Sequence, residues 1–161
     1  MSLNRYKPHL FIVPEDDANR QLATGFTLHH GVDIRKIQVL NEAGGWTAVL
    51  DVFENDHVAS MRQYRETRFL LLMDFDGDSD RLQAAQSRIP ADLRDRVFIL
   101  GAWTEPEDLR NALGISLEEI GELLASGCCD DTYENWDHQL LHHNSGELNR
   151  LREGIRTHLL T

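Results

Sequence analysis

The chain has 161 residues, of which 41% are hydrophobic and 27% charged, a composition typical of a globular protein with a hydrophobic core. Its formal net charge of −11 argues against a broad basic surface for nucleic acid, although phosphates could still be contacted through a bound metal. No apolar run reaches membrane-spanning length, and the N-terminus lacks a signal-peptide pattern. We therefore predict a cytoplasmic protein that does not enter a membrane.

The first two-thirds of the sequence alternates strand and helix patterns. Apolar runs predict strands over 9–13, 34–40, 69–73 and 97–100. Between them, apolar residues at helical spacing predict helices over 17–30, 46–62 and 79–88, the first stopped by Gly31 and the last capped by Ser79, with a short helical piece from Pro90. This alternation predicts an α/β fold, with an open, mainly parallel four-stranded sheet and helices on both faces.

The last third of the sequence has a helical pattern. A helix is predicted from Glu105, with Pro106 in its first turn, and another over 115–124, where Ser116 and Glu119 form a capping box. One or two more helices are predicted over 140–160. We predict one domain over 1–161, with an α/β core at 9–112 and a helical C-terminal cover at 113–161 that packs on the sheet, forms a homodimer or binds a protein partner.

Acidic residues follow the first and third predicted strands. The run Leu10–Val13 leads into Glu15, and the run Phe69–Met73 leads into Asp74 and Asp76. Alternation along a strand would point Asp74 and Asp76 the same way, and two like charges side by side are tolerated mainly when a cation lies between them. Ligand sites of parallel sheets lie at this edge. The pattern therefore predicts a hard divalent cation, Mg²⁺ or Mn²⁺, held by oxygen ligands.

The order of these motifs resembles the Toprim domain of topoisomerases, primases, small nucleases and OLD-family nucleases. The resemblance covers 9–112 and is strongest to a small, stand-alone form of the OLD-nuclease-type Toprim module. It rests on a glutamate after the first strand, a glycine turn after the second, an Asp-x-Asp pair after the third and an acidic helix start after the fourth. The matching residues are Glu15, Ala43-Gly44-Gly45-Trp46, Asp74 and Asp76, and Leu100-Gly101 with Glu105 and Glu107.

The resemblance implies a metal-dependent nuclease that cleaves phosphodiester bonds in DNA or RNA. Asp74 and Asp76 would hold Mg²⁺ or Mn²⁺, and Glu15 would be a ligand or general base. Secondary ligand candidates are Asn19, Asp78, Glu105 and Glu107. The sequence departs from the family at Asp16, where glycine is usual, and at Asn19, where OLD-type members often carry an acid. These departures leave open a second hypothesis, a non-catalytic module that binds a metal or a partner.

Simpler roles exist for several of these residues. Aspartate is common in loops that lead into helices because it caps them, which favours a structural role for Asp16, Asp17, Asp78 and Asp80. Phosphoreceiver domains and haloacid-dehalogenase-type phosphatases also place aspartates after strands, but each needs a downstream lysine, and none follows Lys36. His138, His142 and His143 are predicted on one helix face, in a solvated or capping role or as ligands of a transition metal. An arginine rim around Glu15 and Asp76 would favour an enzyme; the candidates are Arg20, Arg62, Arg65, Arg68, Arg81 and Arg110.

Overall fold

The computed structural model describes residues 3–130 and 132–155. Its strands are β1 (His9–Pro14), β2 (Ile37–Val39), β3 (Thr67–Leu72) and β4 (Val97–Leu100). They form one sheet in the order β2-β1-β3-β4, and every neighbouring pair is parallel. The predicted four-stranded parallel sheet is confirmed.

Helices connect the strands and continue after the last one. They are α1 (Asp17–Leu28), α2 (Trp46–Val52), α3 (Val58–Gln63), α4 (Arg81–Ser87), α5 (Pro106–Leu113), α6 (Leu117–Asp130) and α7 (Ser145–Ile155). A π-helical segment, Phe53–His57, joins α2 to α3, and 3₁₀ turns lie at Ala91–Arg96, Tyr133–Trp136 and His142–Asn144. No helix among the described residues is long and apolar enough to cross a membrane.

The sheet is buried on both faces, which explains why its strands are continuously apolar. Alternate residues of β3 separate the two cores: Leu70 and Leu72 belong to one, and Phe69 and Leu71 belong to the other. The first core includes residues of α1, α5, α6 and α7, and the second includes residues of α2, α4 and the π-helical segment. The predicted helices on both faces, with a helical C-terminal segment, are confirmed.

Helix α1 is held against α6 by glycines that bring the two backbones together. A Cβ added to Gly25 would lie 2.0 Å from the carbonyl oxygen of Glu118, and one added to Gly121 would lie 2.1 Å from that of Leu22. Real Cβ atoms do not come this close, so only glycine fits without a shift of backbone. This contact fixes α1, whose N-terminal end carries Asp16 and Asn19.

The C-terminal segment pairs with the outer edge of β4. Asn144 accepts a hydrogen bond from the Gly101 amide (3.1 Å) and donates one to its carbonyl (2.9 Å), as a neighbouring strand would. Glu147 accepts from the Ile99 amide (3.1 Å), and Arg150 donates to the Val97 carbonyl (3.3 Å). The polar groups of a sheet edge, which would otherwise be open to another chain, are thereby satisfied by side chains.

Several predicted boundaries are wrong for identifiable reasons. Strand β2 begins only at Ile37, because a turn in which the Lys36 amide donates to the Asp33 carbonyl (3.0 Å) precedes it. Helix α1 ends at Leu28 rather than at the predicted His30, since His29 is extended and its ring nitrogen accepts from the Gly31 amide (3.0 Å).

Helix α4 begins at Arg81, and Ser79 does not cap it: the Asp78 carboxylate accepts from the Asp80 amide (2.9 Å) in a turn that occupies these residues. The predicted 46–62 helix is confirmed in extent but contains the π-helical segment. The Ser116–Glu119 capping box is confirmed by reciprocal bonds of 3.1 and 3.3 Å.

The C-terminal predictions need two corrections. Helix α6 continues to Asp130, beyond the predicted 124. The three histidines do not share a helix face, because His138 precedes a turn and His142 and His143 lie in a 3₁₀ turn. His143 packs on Phe75 and Trp103, with ring centroids 4.9 and 5.2 Å away. The predicted helix over 140–160 is α7 as far as Ile155; residues 156–161 lie outside the described residues.

Candidate metal centre

The carboxyl ends of β1 and β3 form the edge of the sheet where the acidic residues meet. These strands are neighbours, with Pro14 beside Leu72, and the Glu15 amide donates to the Leu72 carbonyl (2.8 Å). The chain leaves β1 toward β2 on one side and returns to β3 on the other. Parallel sheets bind ligands at such a reversal of strand order, in the crevice beyond the strand ends.

Three carboxylates converge in this crevice. Glu15, Asp16 and Asp74 each offer an oxygen, and these oxygens all lie within 4.8 Å of one another. Glu15 is 8% exposed and Asp74 is 6% exposed, so water screens their charges poorly. The Asp74 amide also donates to Glu15 Oε2 (3.4 Å). We call Glu15, Asp16 and Asp74 the carboxylate cluster.

Asn19 lies fully buried beneath the carboxylate cluster. Its Nδ2 donates to Asp74 Oδ1 (2.8 Å) and to Asp16 Oδ1 (2.9 Å). Its Oδ1 is buried and has no hydrogen-bond partner among the described residues. Asp16 Oδ1 also accepts from the Asn19 amide (3.0 Å), so Asp16 caps α1, as the simpler hypothesis predicted, while remaining part of the cluster.

Burial changes the proton affinity of the carboxylate cluster. Burial is the main cause that raises the pKa of Asp74 to about 8, and the neighbouring Glu15 raises it further. The hydrogen bond from Asn19 lowers this pKa, but by less than burial raises it. Burial also raises the pKa of Glu15, as do the charges of Asp16 and Asp76, whereas its hydrogen bonds with Asp74 act the other way. A cation in the crevice would favour the ionised form of both carboxyl groups.

Asp76 lies outside the carboxylate cluster. Strand β3 ends at Leu72, and after buried Phe75 the chain turns, with Asp76 at a positive φ of 49°. The alternation that would point Asp74 and Asp76 the same way therefore does not extend to Asp76. Its side chain is 62% exposed and accepts a bond from Arg81 Nη1 (2.8 Å). A role for Asp76 as a metal ligand stays a prediction.

Arg81 joins the exposed Asp76 to the buried part of the site. Its Nη1 also donates to the Asp74 carbonyl (2.9 Å), and its guanidinium lies 4.6 Å from the centroid of the Trp46 ring. The side chain is only 12% exposed, and its Nε is buried without a hydrogen-bond partner in the part of the chain that the structure describes. In the sequence, Arg81 is only one of six candidates for the arginine rim. The signal that could have singled it out is its position five residues after Asp76, within reach of that carboxylate.

The other secondary ligand candidates, Asp78, Glu105 and Glu107, are not part of the carboxylate cluster. Asp78 is exposed and bonds within its own turn. Glu105 is exposed and precedes α5. Glu107 has a buried Oε1 with no hydrogen-bond partner among the described residues, and its pKa is raised by burial, with smaller effects of Glu105 and Asp16. Glu107 is thus close enough for the charge of Asp16 to raise its pKa.

The glycine turn after β2 positions the backbone of Glu15. The Gly44 and Gly45 amides both donate to the Glu15 carbonyl, at 2.8 and 3.2 Å. These glycines have φ values of +102° and +149°, which side chains rarely allow. The predicted glycine turn therefore fixes the backbone of Glu15, the residue that the resemblance implies is a metal ligand or general base.

The candidate arginine rim is mostly engaged elsewhere. Arg20 pairs with Asp17 and with Glu42 (3.3 Å). Arg62 pairs with Asp92 (3.1 Å). The remaining candidates are Arg65 and Arg68, which lie at the opposite end of β3, and Arg110, which is exposed on α5. Arg81 is the candidate that contacts residues of the site directly.

No protein-family model matches the chain, and searches of the curated proteins and of the solved structures found no match. The resemblance to the Toprim domain therefore rests on the order and positions of the residues themselves.

Proposed function

We propose that this protein is a Toprim-like, metal-dependent nuclease that binds Mg²⁺ or Mn²⁺ at the carboxylate cluster and cleaves phosphodiester bonds in nucleic acid. The proposal rests on one observation: oxygens of Glu15, Asp16 and Asp74 lie within 4.8 Å of one another, at the sheet edge where the strand order reverses between β1 and β3.

The donor set fits a hard cation. Carboxylate and amide oxygens are the ligands that Mg²⁺ and Mn²⁺ prefer. Three anions this close repel one another unless protons or a cation lie between them.

The chemistry follows from the same residues. A bound divalent cation would neutralise phosphate charge and lower the pKa of a coordinated water. Glu15 is the candidate general base: it lies in the cluster, and burial raises its pKa, which makes the ionised carboxylate a stronger proton acceptor. Asp74 and Asp16 would act as ligands, and Asn19 would orient both through its hydrogen bonds.

A second candidate function is a Toprim-like module that binds a metal or a partner without catalysis. It is favoured by the net charge of −11 and by the ion pairs of Arg20 and Arg62, which engage two of the six arginines that could form a rim for a nucleic acid backbone. In this case the cation would stabilise the fold or a partner interface.

Calorimetric titration with Mg²⁺ and Mn²⁺, followed by cleavage assays on supercoiled, linear and single-stranded DNA and on RNA, would separate these candidates. Asp74→Asn is the test variant, and Asp92→Asn, which alters an exposed aspartate away from the cluster, is the control. Binding and cleavage that both disappear in Asp74→Asn alone would support the nuclease. Binding without cleavage would favour the second candidate. Failure of the folded wild type to bind either cation would refute both metal-dependent functions.

A further inference from the structure

We propose that Arg81 is the phosphate-binding residue of this site and that the carboxylate of Asp76 occupies the position of a ligand phosphate oxygen in the unliganded protein. This inference rests on the proposed function for the identity of the neighbouring cation. It adds the residue that recognises the phosphate group and the side chain that occupies the phosphate position before the ligand binds.

The environment of Arg81 supports this role. Arginine is the side chain best suited to phosphate because its planar fork donates several parallel hydrogen bonds. Here the guanidinium is 12% exposed and lies against the Trp46 ring, so its position is fixed and water screens it little. The guanidinium is also fixed to the backbone of the carboxylate cluster, because its Nη1 donates a hydrogen bond to the Asp74 carbonyl.

The pairing of Asp76 with Arg81 is suited to exchange. Asp76 is 62% exposed, and its bond to Nη1 (2.8 Å) is the contact through which it holds the arginine. Because Asp76 is exposed, it can leave the pair for water at little cost, so a phosphate can compete for the same Nη1.

Displacement of Asp76 would have a consequence at the carboxylate cluster. The charge of Asp76 already contributes to the raised pKa of Glu15, which places it within electrostatic reach of the cluster. Once released from Arg81, Asp76 is free to turn toward a cation held by Asp74, two residues away. Phosphate and cation would then assist each other's binding, because each favours the conformation in which the Asp76–Arg81 pair is open.

The test measures two affinities on the full chain. Calorimetry gives the affinity for inorganic phosphate without metal and the affinity for Mg²⁺ with and without phosphate, at equal ionic strength. The variants are Asp76→Asn and Arg81→Gln. Their controls are Asp92→Asn and Arg62→Gln, because Arg62 and Asp92 form an Arg–Asp ion pair that is bidentate, exposed and away from the site.

We expect Asp76→Asn to bind phosphate about two- to fivefold more tightly than the wild type, the factor that corresponds to the loss of an exposed ion pair. Arg81→Gln should lose phosphate binding, and phosphate should tighten Mg²⁺ binding about two- to fivefold in the wild type but not in Arg81→Gln. Both control variants should behave as the wild type.

Equal phosphate affinity in Asp76→Asn and the wild type, or a retained phosphate response in Arg81→Gln, would overturn the inference. If the wild type binds no Mg²⁺, the cation site fails, but the metal-free comparison of phosphate affinities still decides the role of Arg81. If Arg81→Gln does not fold, Asp76→Asn decides it, because Asp76 is exposed and its replacement by asparagine keeps the side-chain shape.

Discussion

Asn19 and Asp74 lie 55 residues apart in the sequence and are joined by a buried hydrogen bond of 2.8 Å. The bond connects the first turn of α1 to the segment after β3, so it ties together the two halves of the candidate metal centre. Asn19 also bonds Asp16, and through these contacts one neutral amide orients two carboxylates. An acid at this position, which the resemblance implies for many OLD-type modules, would have no side-chain amide hydrogens to donate.

The substitution Asn19→Asp should therefore make the fold depend on a cation. Without metal it adds a fourth carboxylate and removes the two donated hydrogen bonds, so we expect a loss of at least about 1–3 kcal/mol, the usual cost of leaving buried polar groups unpaired. With Mg²⁺ or Mn²⁺ the new carboxylate is an additional ligand. Thermal unfolding in chelator and in excess metal measures both effects.

The expected result is a larger metal-induced rise in melting temperature for Asn19→Asp than for the wild type. Asn135→Asp is the control, because Asn135 is exposed and bonds the Leu123 carbonyl (3.2 Å) away from the cluster. An equal metal-induced rise in Asn19→Asp and the wild type would contradict a role of residue 19 in cation binding.

The contribution of Asp74 to the stability of the metal-free protein should fall as pH rises. The pKa of Asp74 is raised from 3.8 to about 8 in the folded chain, so between these values the folded state holds a proton that the unfolded state has released. Stability from this proton is complete below the unfolded pKa and is lost as pH rises through the folded pKa, with a slope of at most about 1.4 kcal/mol per pH unit. Glu15 contributes with the same sign.

Urea unfolding across this pH window, in chelator, checks the sign when the wild type is compared with Asp74→Asn. Desolvation is the main cause of the lowered pKa of buried His9, which therefore destabilises the fold at acid pH. Because His9 is present in both proteins, its effect cancels in the difference between them. As pH rises, the free energy of unfolding of the wild type should decrease relative to that of Asp74→Asn. A difference independent of pH would show that Asp74 is ionised in the folded metal-free protein.

Sequence patterns predict this fold well because the strands are buried on both faces. A short, continuous apolar run such as Phe69–Met73 between helical patterns favours a central parallel strand, and the acidic residues that follow it then lie at the sheet edge. Strand β2 is less well predicted because the Asp33 turn, formed by local side-chain bonds, removes three residues that are compatible with a strand.

The candidate site is only partly readable from the sequence, because its details depend on contacts between distant segments. Glu15 and Asp74 follow from the strand ends, whereas the sequence favours a capping role for Asp16, which caps α1 and also joins the cluster. The pairing of Asp76 with Arg81 depends on a single residue at positive φ, which no strand periodicity anticipates.

The contact between α1 and α6 should not tolerate a methyl group. Gly121→Ala would place a Cβ 2.1 Å from the Leu22 carbonyl oxygen, so the helices must separate. We expect a net loss of about 1–3 kcal/mol, the usual cost of overpacking, although alanine favours a helix intrinsically. Gly146→Ala in α7, where a Cβ meets nothing within 4 Å, is the matched control and should be neutral or stabilising. Urea unfolding of both variants decides this, and equal stabilities would contradict the contact.

The cover of the β4 edge by the C-terminal segment should be visible in amide exchange. Glu147 is 5% exposed and accepts from the Ile99 amide, and Asn144 accepts from the Gly101 amide, so each substitution should release one amide. We expect Glu147→Ala to speed exchange chiefly at Ile99 and Asn144→Ala chiefly at Gly101, because an unpaired edge amide opens without breaking the rest of the sheet. Amides of β1, in the middle of the sheet, serve as the internal reference. Uniform acceleration across β1 and β4 would show instead that these side chains stabilise the whole fold, whereas unchanged exchange at both amides would show that α7 does not hold the edge in solution.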